Sequence, residues 1–108
     1  MARAKKNEDK VCSKRELVAI NTSNIFKVLG DKTRLEILFA LETKSMCVGE
    51  LVNSLGFSQS LVSHQLRVLR DNNIVSTVRN GNKVFYMLAD DHITTLLNIA
   101  KAHISERL

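Results

Sequence analysis

From Glu16 to Gly30 the chain reads ELVAINTSNIFKVLG, with Leu17, Val18, Ile25, Val28 and Leu29 at helical spacings. Glycine follows the last of them, a natural place for a helix to stop. In DKTRLEILFALETK, Asp31 stands as an N-cap and Leu35, Leu38, Phe39 and Leu41 predict a buried stripe. The stretch VGELVNSLGFSQSLVSHQLRVLRDNN predicts a short helix, a turn at Gly56, and a longer helix capped by Ser58. That layout is a helix-turn-helix. The period then changes from helical to alternating: in IVSTVRNGNKVFYML the residues Val84, Tyr86 and Leu88 alternate, and Asn80-Gly81 is a hairpin signal because both tolerate positive φ. A two-stranded wing is therefore expected behind the helix-turn-helix. Helical spacing returns from Asp90, with Ile93, Leu97, Ala100 and Ile104 as the expected core stripe. The predicted class is mainly α with a small β-hairpin, a winged helix-turn-helix.

On the helix after Gly56, Val62, Leu66 and Leu69 share one face at about 100° per residue, and Ser60, Ser63, His64, Arg67 and Asp71 share the opposite one. Short hydroxyl and amide side chains near a helix start suit base edges, whereas arginines further along suit phosphates. Gln59, Ser60, Ser63 and His64 are the base-reading candidates, with Arg67 behind them. Polarity alone would equally describe a solvated face. The basic hairpin beside it, where Arg79 and Lys83 flank the tip, favours DNA.

Charge agrees with that direction: a net charge of +5 and a pI near 9.5 suit a polyanionic partner. At 108 residues the chain is expected to form one domain, residues 13–108, behind a flexible basic tail, residues 1–12. A core of that size gains from dimerisation, so a homodimer is expected. No apolar run is long enough to span a bilayer, and MARAKKNEDK lacks the apolar segment of a secretory signal. A cytoplasmic location without membrane contact is the expectation. There, two cysteines, Cys12 and Cys47, would stay free or bind metal. Neither a nucleophile elbow nor a phosphate-cradling glycine loop occurs, which argues against an enzyme.

The last helix carries candidate chemistry at both ends, Asp90 and His92 at one, His103 and Glu106 at the other. Eleven residues advance a helix about 1100°, so His92 and His103 lie on nearly one face, about 16 Å apart along the axis. One zinc ion, with bonds of about 2.0 Å to nitrogen, cannot bridge that gap within one chain. Two such helices packed antiparallel about a two-fold axis would bring Asp90 and His92 of one copy to His103 and Glu106 of the other. Each dimer would then hold two sites with two nitrogen and two oxygen ligands. That set suits tetrahedral zinc, with cobalt as a surrogate.

From about Phe26 to Glu106 the chain resembles the ArsR/SmtB family of winged-helix metal-sensing repressors. The resemblance rests on VLGDKTRLEILFAL, CVGEL, SQSLVSHQLRVLRD, RNGNKVFYML, and the terminal pattern D-x-H, ten residues, H-x-x-E. It implies a homodimer that binds palindromic operator DNA when metal-free and releases it when zinc joins the last helices. Asp90, His92, His103 and Glu106 match the zinc-type pattern in full, and no further histidine follows Glu106 as a six-coordinate nickel or cobalt site would want.

Some relatives carry a second site at the CVGEL position. Here Cys47 and Glu50 match its first part, and Cys12 of the partner could add a thiolate. The family's thiol-rich cadmium and lead sensors have a second cysteine where this chain has Gly49. The competing expectation is therefore a repressor responding through Cys12 and Cys47 to cadmium, lead, arsenic or redox change; a chemically quiet Cys47 would remove it.

Overall fold

The computed structural model describes residues 13–108; the expected tail, including Cys12, lies outside the described residues. Five helices and one hairpin follow in order: α1 Lys14–Leu29, α2 Lys32–Leu41, α3 Val48–Leu55, α4 Gln59–Asp71, β1 Val75–Asn80, β2 Lys83–Leu88 and α5 Asp91–Ser105.

Helices α1, α2, α4 and α5 begin where a side chain satisfies one or more of their first free amides. Ser13 and Glu16 form a reciprocal capping box on α1. Asp31 accepts from the Arg34 amide at 3.0 Å, and Ser58 accepts from the Leu61 amide at 3.2 Å. Asp90 accepts from His92 and Ile93 at 2.9 and 3.3 Å. Between α3 and α4, Gly56 adopts φ 76°, the left-handed turn that makes glycine the favoured residue there.

The core gathers Ile37 and Leu38 of α2, Leu51 of α3, Val62, Leu66 and Leu69 of α4, and Ile74, all within 1% of full burial. Side chains of this kind contribute about 1.5–3 kcal/mol each on burial, so α4 is held chiefly by its apolar face. Ile93 and Leu97 anchor the first half of α5 to that core. Further along, Lys101 pairs with the Glu42 carboxylate and lies 5.0 Å from the centre of the Phe39 ring.

The wing is an antiparallel pair with Asn80 opposite Lys83 and Val75 opposite Leu88. Its two-residue turn is therefore Gly81-Asn82 rather than the expected Asn80-Gly81. Only Gly81 takes positive φ, 65°, which places glycine at the first loop position, as a type II′ turn requires. A short third segment joins the sheet: Met46 and Tyr86 exchange backbone hydrogen bonds of 3.0 and 2.8 Å.

Several apolar positions depart from the expected stripes. Leu17 and Val18 are exposed, Leu35 is half-buried, and Phe39 is at the surface. Ala100 and Ile104 are exposed as well, because α5 runs past the end of the chain's own core after Leu97. No described helix is long and apolar enough to cross a membrane.

Candidate nucleic-acid interface and metal ligands

Burial of Val62, Leu66 and Leu69 turns the other side of α4 outward. Gln59, Ser60, Ser63, His64 and Arg67 are all exposed there, so the expected DNA-reading residues form one face. Gln59 and Ser60 occupy the first turn, where free amides and the positive helix end favour an anion such as phosphate. Arg79 and Lys83 stand exposed on either side of the Gly81-Asn82 turn. Between α4 and the wing, Ser63, Arg67, Arg70, Asp71 and Tyr86 line a polar hollow. Arg70 and Tyr86 were not among the sequence candidates; the strand pairing that brings Tyr86 beside α4 is not a local property of the chain.

Gln65 is the residue the sequence pattern concealed. It lies on the inward face of α4, 7% exposed, and is the buried polar residue among the described core. Its amide oxygen accepts from Arg34 Nη1 at 2.9 Å, and its amide nitrogen donates to Asp31 Oδ2 at 3.1 Å. Arg34 Nε also donates to the Val28 carbonyl at 2.7 Å. The end of α1, the first turn of α2 and the middle of α4 thus meet in one hydrogen-bonded cluster. A glutamine between Ser63-His64 and Leu66 on a polar helix reads as another exposed amide unless its distant partners are known.

At the start of α5, one oxygen of Asp90 takes both cap bonds and lies 3.4 Å from His92 Nδ1. The imidazole is 96% exposed and so open to a ligand, whereas Asp90 Oδ1 already serves the helix cap. Asp90 and His92 border a polar hollow with Asn72 and Asn73, the residues that end α4. His103 and Glu106 are exposed at the far end of the same helix, with exposed Ile99 between the two pairs. Among the described residues, no three His, Cys, Asp or Glu side chains of one chain gather as a metal site. The two pairs sit too far apart along α5 for that, as helix geometry requires.

Of the second-site candidates, Cys47 and Glu50 lie together and Cys12 is outside the described residues. Cys47 is a free, half-buried thiol preceding α3, and its backbone N–H donates to Glu50 Oε1 at 3.1 Å. That bond, with Lys44 and Lys83 adding positive charge, holds the Glu50 carboxyl below its ordinary value. One Glu50 oxygen is therefore already engaged in capping α3.

Residues 31–77, from the cap of α2 into β1, match the family described as bacterial regulatory protein, arsR family. A transcriptional repressor SmtB homolog of Synechocystis is 38% identical over 84 residues, covering 78% of this chain and 64% of that protein. The chain thus spans less than two thirds of that relative's length. An arsenical resistance operon repressor of Staphylococcus aureus is 41% identical over 80 residues, 71% of this chain and 77% of that protein. In three dimensions, a homodimeric winged helix-turn-helix DNA-binding domain of Mycobacterium bovis, solved by NMR, superimposes with a TM-score of 0.83. It covers 92% of each chain at 20% identity, a likeness of fold. The chain therefore belongs to the ArsR family of bacterial regulatory proteins, and its fold is a winged helix-turn-helix.

Proposed function

We propose that this chain is a metal-responsive transcriptional repressor that binds operator DNA as a metal-free homodimer and is released by zinc at the dimer interface. The observation that carries the reading is the outward face of α5. It presents Asp90 and His92 at one end, His103 and Glu106 at the other, and apolar Ile99 between them, all exposed. An antiparallel second copy would cover Ile99 and bring each acid-histidine pair to the complementary pair of its partner. Two imidazoles and two carboxylates fit zinc, with cobalt as its surrogate. Bound there, the ion would supply a cross-link between protomers.

The chain's own residues would carry the consequence to DNA. Gln59, Ser60, Ser63 and His64 read bases, while Arg67, Arg79 and Lys83 meet phosphates or the neighbouring minor groove. A dimer on a palindrome needs its two recognition helices about 34 Å apart, so protomers held at another separation bind less well. Asp90 and His92 border the same hollow as Asn72 and Asn73 at the end of α4, which gives a short route from the ligands to the DNA-reading helix. Reciprocal coupling of about 1–3 kcal/mol between metal and operator is the usual scale.

His103→Gln tests this. Metal-free operator binding should stay near the wild-type value and zinc-induced release should vanish, measured by fluorescence anisotropy with and without zinc. Normal release by zinc in that variant would overturn the assignment of α5.

A thiol-based response is the second reading, favoured by the free Cys47 in a surface hollow beside Lys83 and Tyr86 of the wing. The Staphylococcus aureus relative is named an arsenical resistance operon repressor. Cadmium, lead or arsenic would then bind through Cys47 and Cys12, with Glu50 nearby. Cobalt spectra separate the two readings, because thiolate ligation adds intense charge-transfer bands that Cys47→Ser would abolish.

A further inference from the structure

We propose that Gln65 is a positioning residue for DNA recognition: its buried amide sets the rotation of α4 about its own axis. The proposal rests on the DNA-binding reading of α4 and adds to it a residue that faces away from DNA.

Apolar contact is nondirectional, so Val62, Leu66 and Leu69 hold α4 against the core without defining its rotation closely. Hydrogen bonds have angular demands. Gln65 makes two, accepting from Arg34 Nη1 at 2.9 Å and donating to Asp31 Oδ2 at 3.1 Å. Only one orientation of the amide satisfies both partners, since reversing it would set NH2 against guanidinium and oxygen against carboxylate. Both partners are themselves fixed. Asp31 caps α2 through the Arg34 amide, and Arg34 Nε is held by the Val28 carbonyl at 2.7 Å. The frame against which α4 is set is therefore the corner between α1 and α2.

Gln65 immediately follows Ser63 and His64 and lies two residues before Arg67. A rotation of about 10° moves a side-chain tip about 6 Å from the helix axis by about 1 Å, enough to break a hydrogen bond to a base edge. Phosphate contacts made by long, flexible arginine and lysine side chains survive such a shift. Loss of the Gln65 bonds should accordingly lower sequence discrimination and leave the electrostatic part of binding intact.

Gln65→Met preserves length and removes both bonds. It is expected to fold, because Asp31 and Arg34 are half-buried and water can replace the amide at each. The probe is a duplex enriched from a random pool by the wild-type chain, compared with a scrambled duplex of equal length and composition. The ratio of the two affinities should fall about tenfold or more in Gln65→Met, the scale of one lost base contact. The salt slope should match the wild type, since the phosphate contacts are untouched. An unchanged ratio in folded Gln65→Met overturns the proposal. Should that variant fail to fold, Arg34→Lys decides by the same ratio, because lysine cannot serve Gln65 and Val28 together in the fork geometry of arginine. Wild-type discrimination in Arg34→Lys overturns the proposal equally. If the wild-type chain enriches no sequence at all, the DNA-binding reading itself falls, an outcome distinct from failure of the Gln65 assignment.

Discussion

Helices α4 and α5 carry the same kind of pattern, an apolar stripe opposite polar residues with candidate chemistry, yet the fold treats them differently. Val62, Leu66 and Leu69 of α4 are at most 1% exposed. On α5 the stripe is divided: Ile93 and Leu97 are 8% and 2% exposed, whereas Ile104 is 52% exposed. Ile99, on the face between the two acid-histidine pairs, is 63% exposed. Periodicity reports which face of a helix is apolar and leaves open what covers it. For α4 the cover is the chain itself. For the far half of α5 and for Leu17, Val18 and Ile20 of α1, no described part of the chain supplies it, and under the proposed dimer these are residues a second copy would cover.

The difference can be forced into measurement. Leu66→Ala should lower unfolding free energy by about 2–5 kcal/mol, the range for deleting a fully buried leucine, as read from urea denaturation. Ile104→Ala should cost far less at the level of the single chain. Equal losses for the two variants would mean that the end of α5 is packed in the folded monomer after all.

Next in size is the effect of charge on the α5 face. Ile99→Asp should shift the chain from dimer to monomer in analytical ultracentrifugation while its far-ultraviolet circular dichroism is retained, because Ile99 supports no contact of the chain's own core. A dimer of wild-type affinity in this variant would place the interface elsewhere.

The smallest effect concerns a feature α4 and α5 share, a capped start. Ser58→Ala should cost about 1 kcal/mol, the usual worth of an N-cap, and should weaken operator and scrambled duplex alike as α4 frays. A loss confined to the operator would instead make the Ser58 hydroxyl a base contact.

The residues of the candidate DNA interface were legible to the extent that they obey local rules. Outward placement of Ser60, Ser63, His64 and Arg67 follows from 100° per residue once Leu66 and its neighbours turn inward. Matching ends of α5 followed from the same arithmetic. Arg70 and Tyr86 escaped notice because their hollow is made by α4 against β2. The hairpin turn was displaced by one residue because Asn-Gly and Gly-Asn are both good turn pairs, and strand register, a nonlocal pairing, chooses between them.

Capping residues, helical and alternating periods and the glycine turn at Gly56 are all written within a few residues of where they act, so the chain alone was sufficient to specify five helices, a wing and the outward face of α4. Bonds across long separations are of another kind. Gln65 reaches Arg34 and Asp31 over 31 and 34 residues, and Met46 joins Tyr86 only because the hairpin has already formed. Nothing local distinguishes a glutamine that will face water from one that will bridge a carboxylate and a guanidinium, or an isoleucine that will enter the core from one that will wait for a second chain. Packing makes that choice, because burial is a property of what the rest of the molecule brings to a residue.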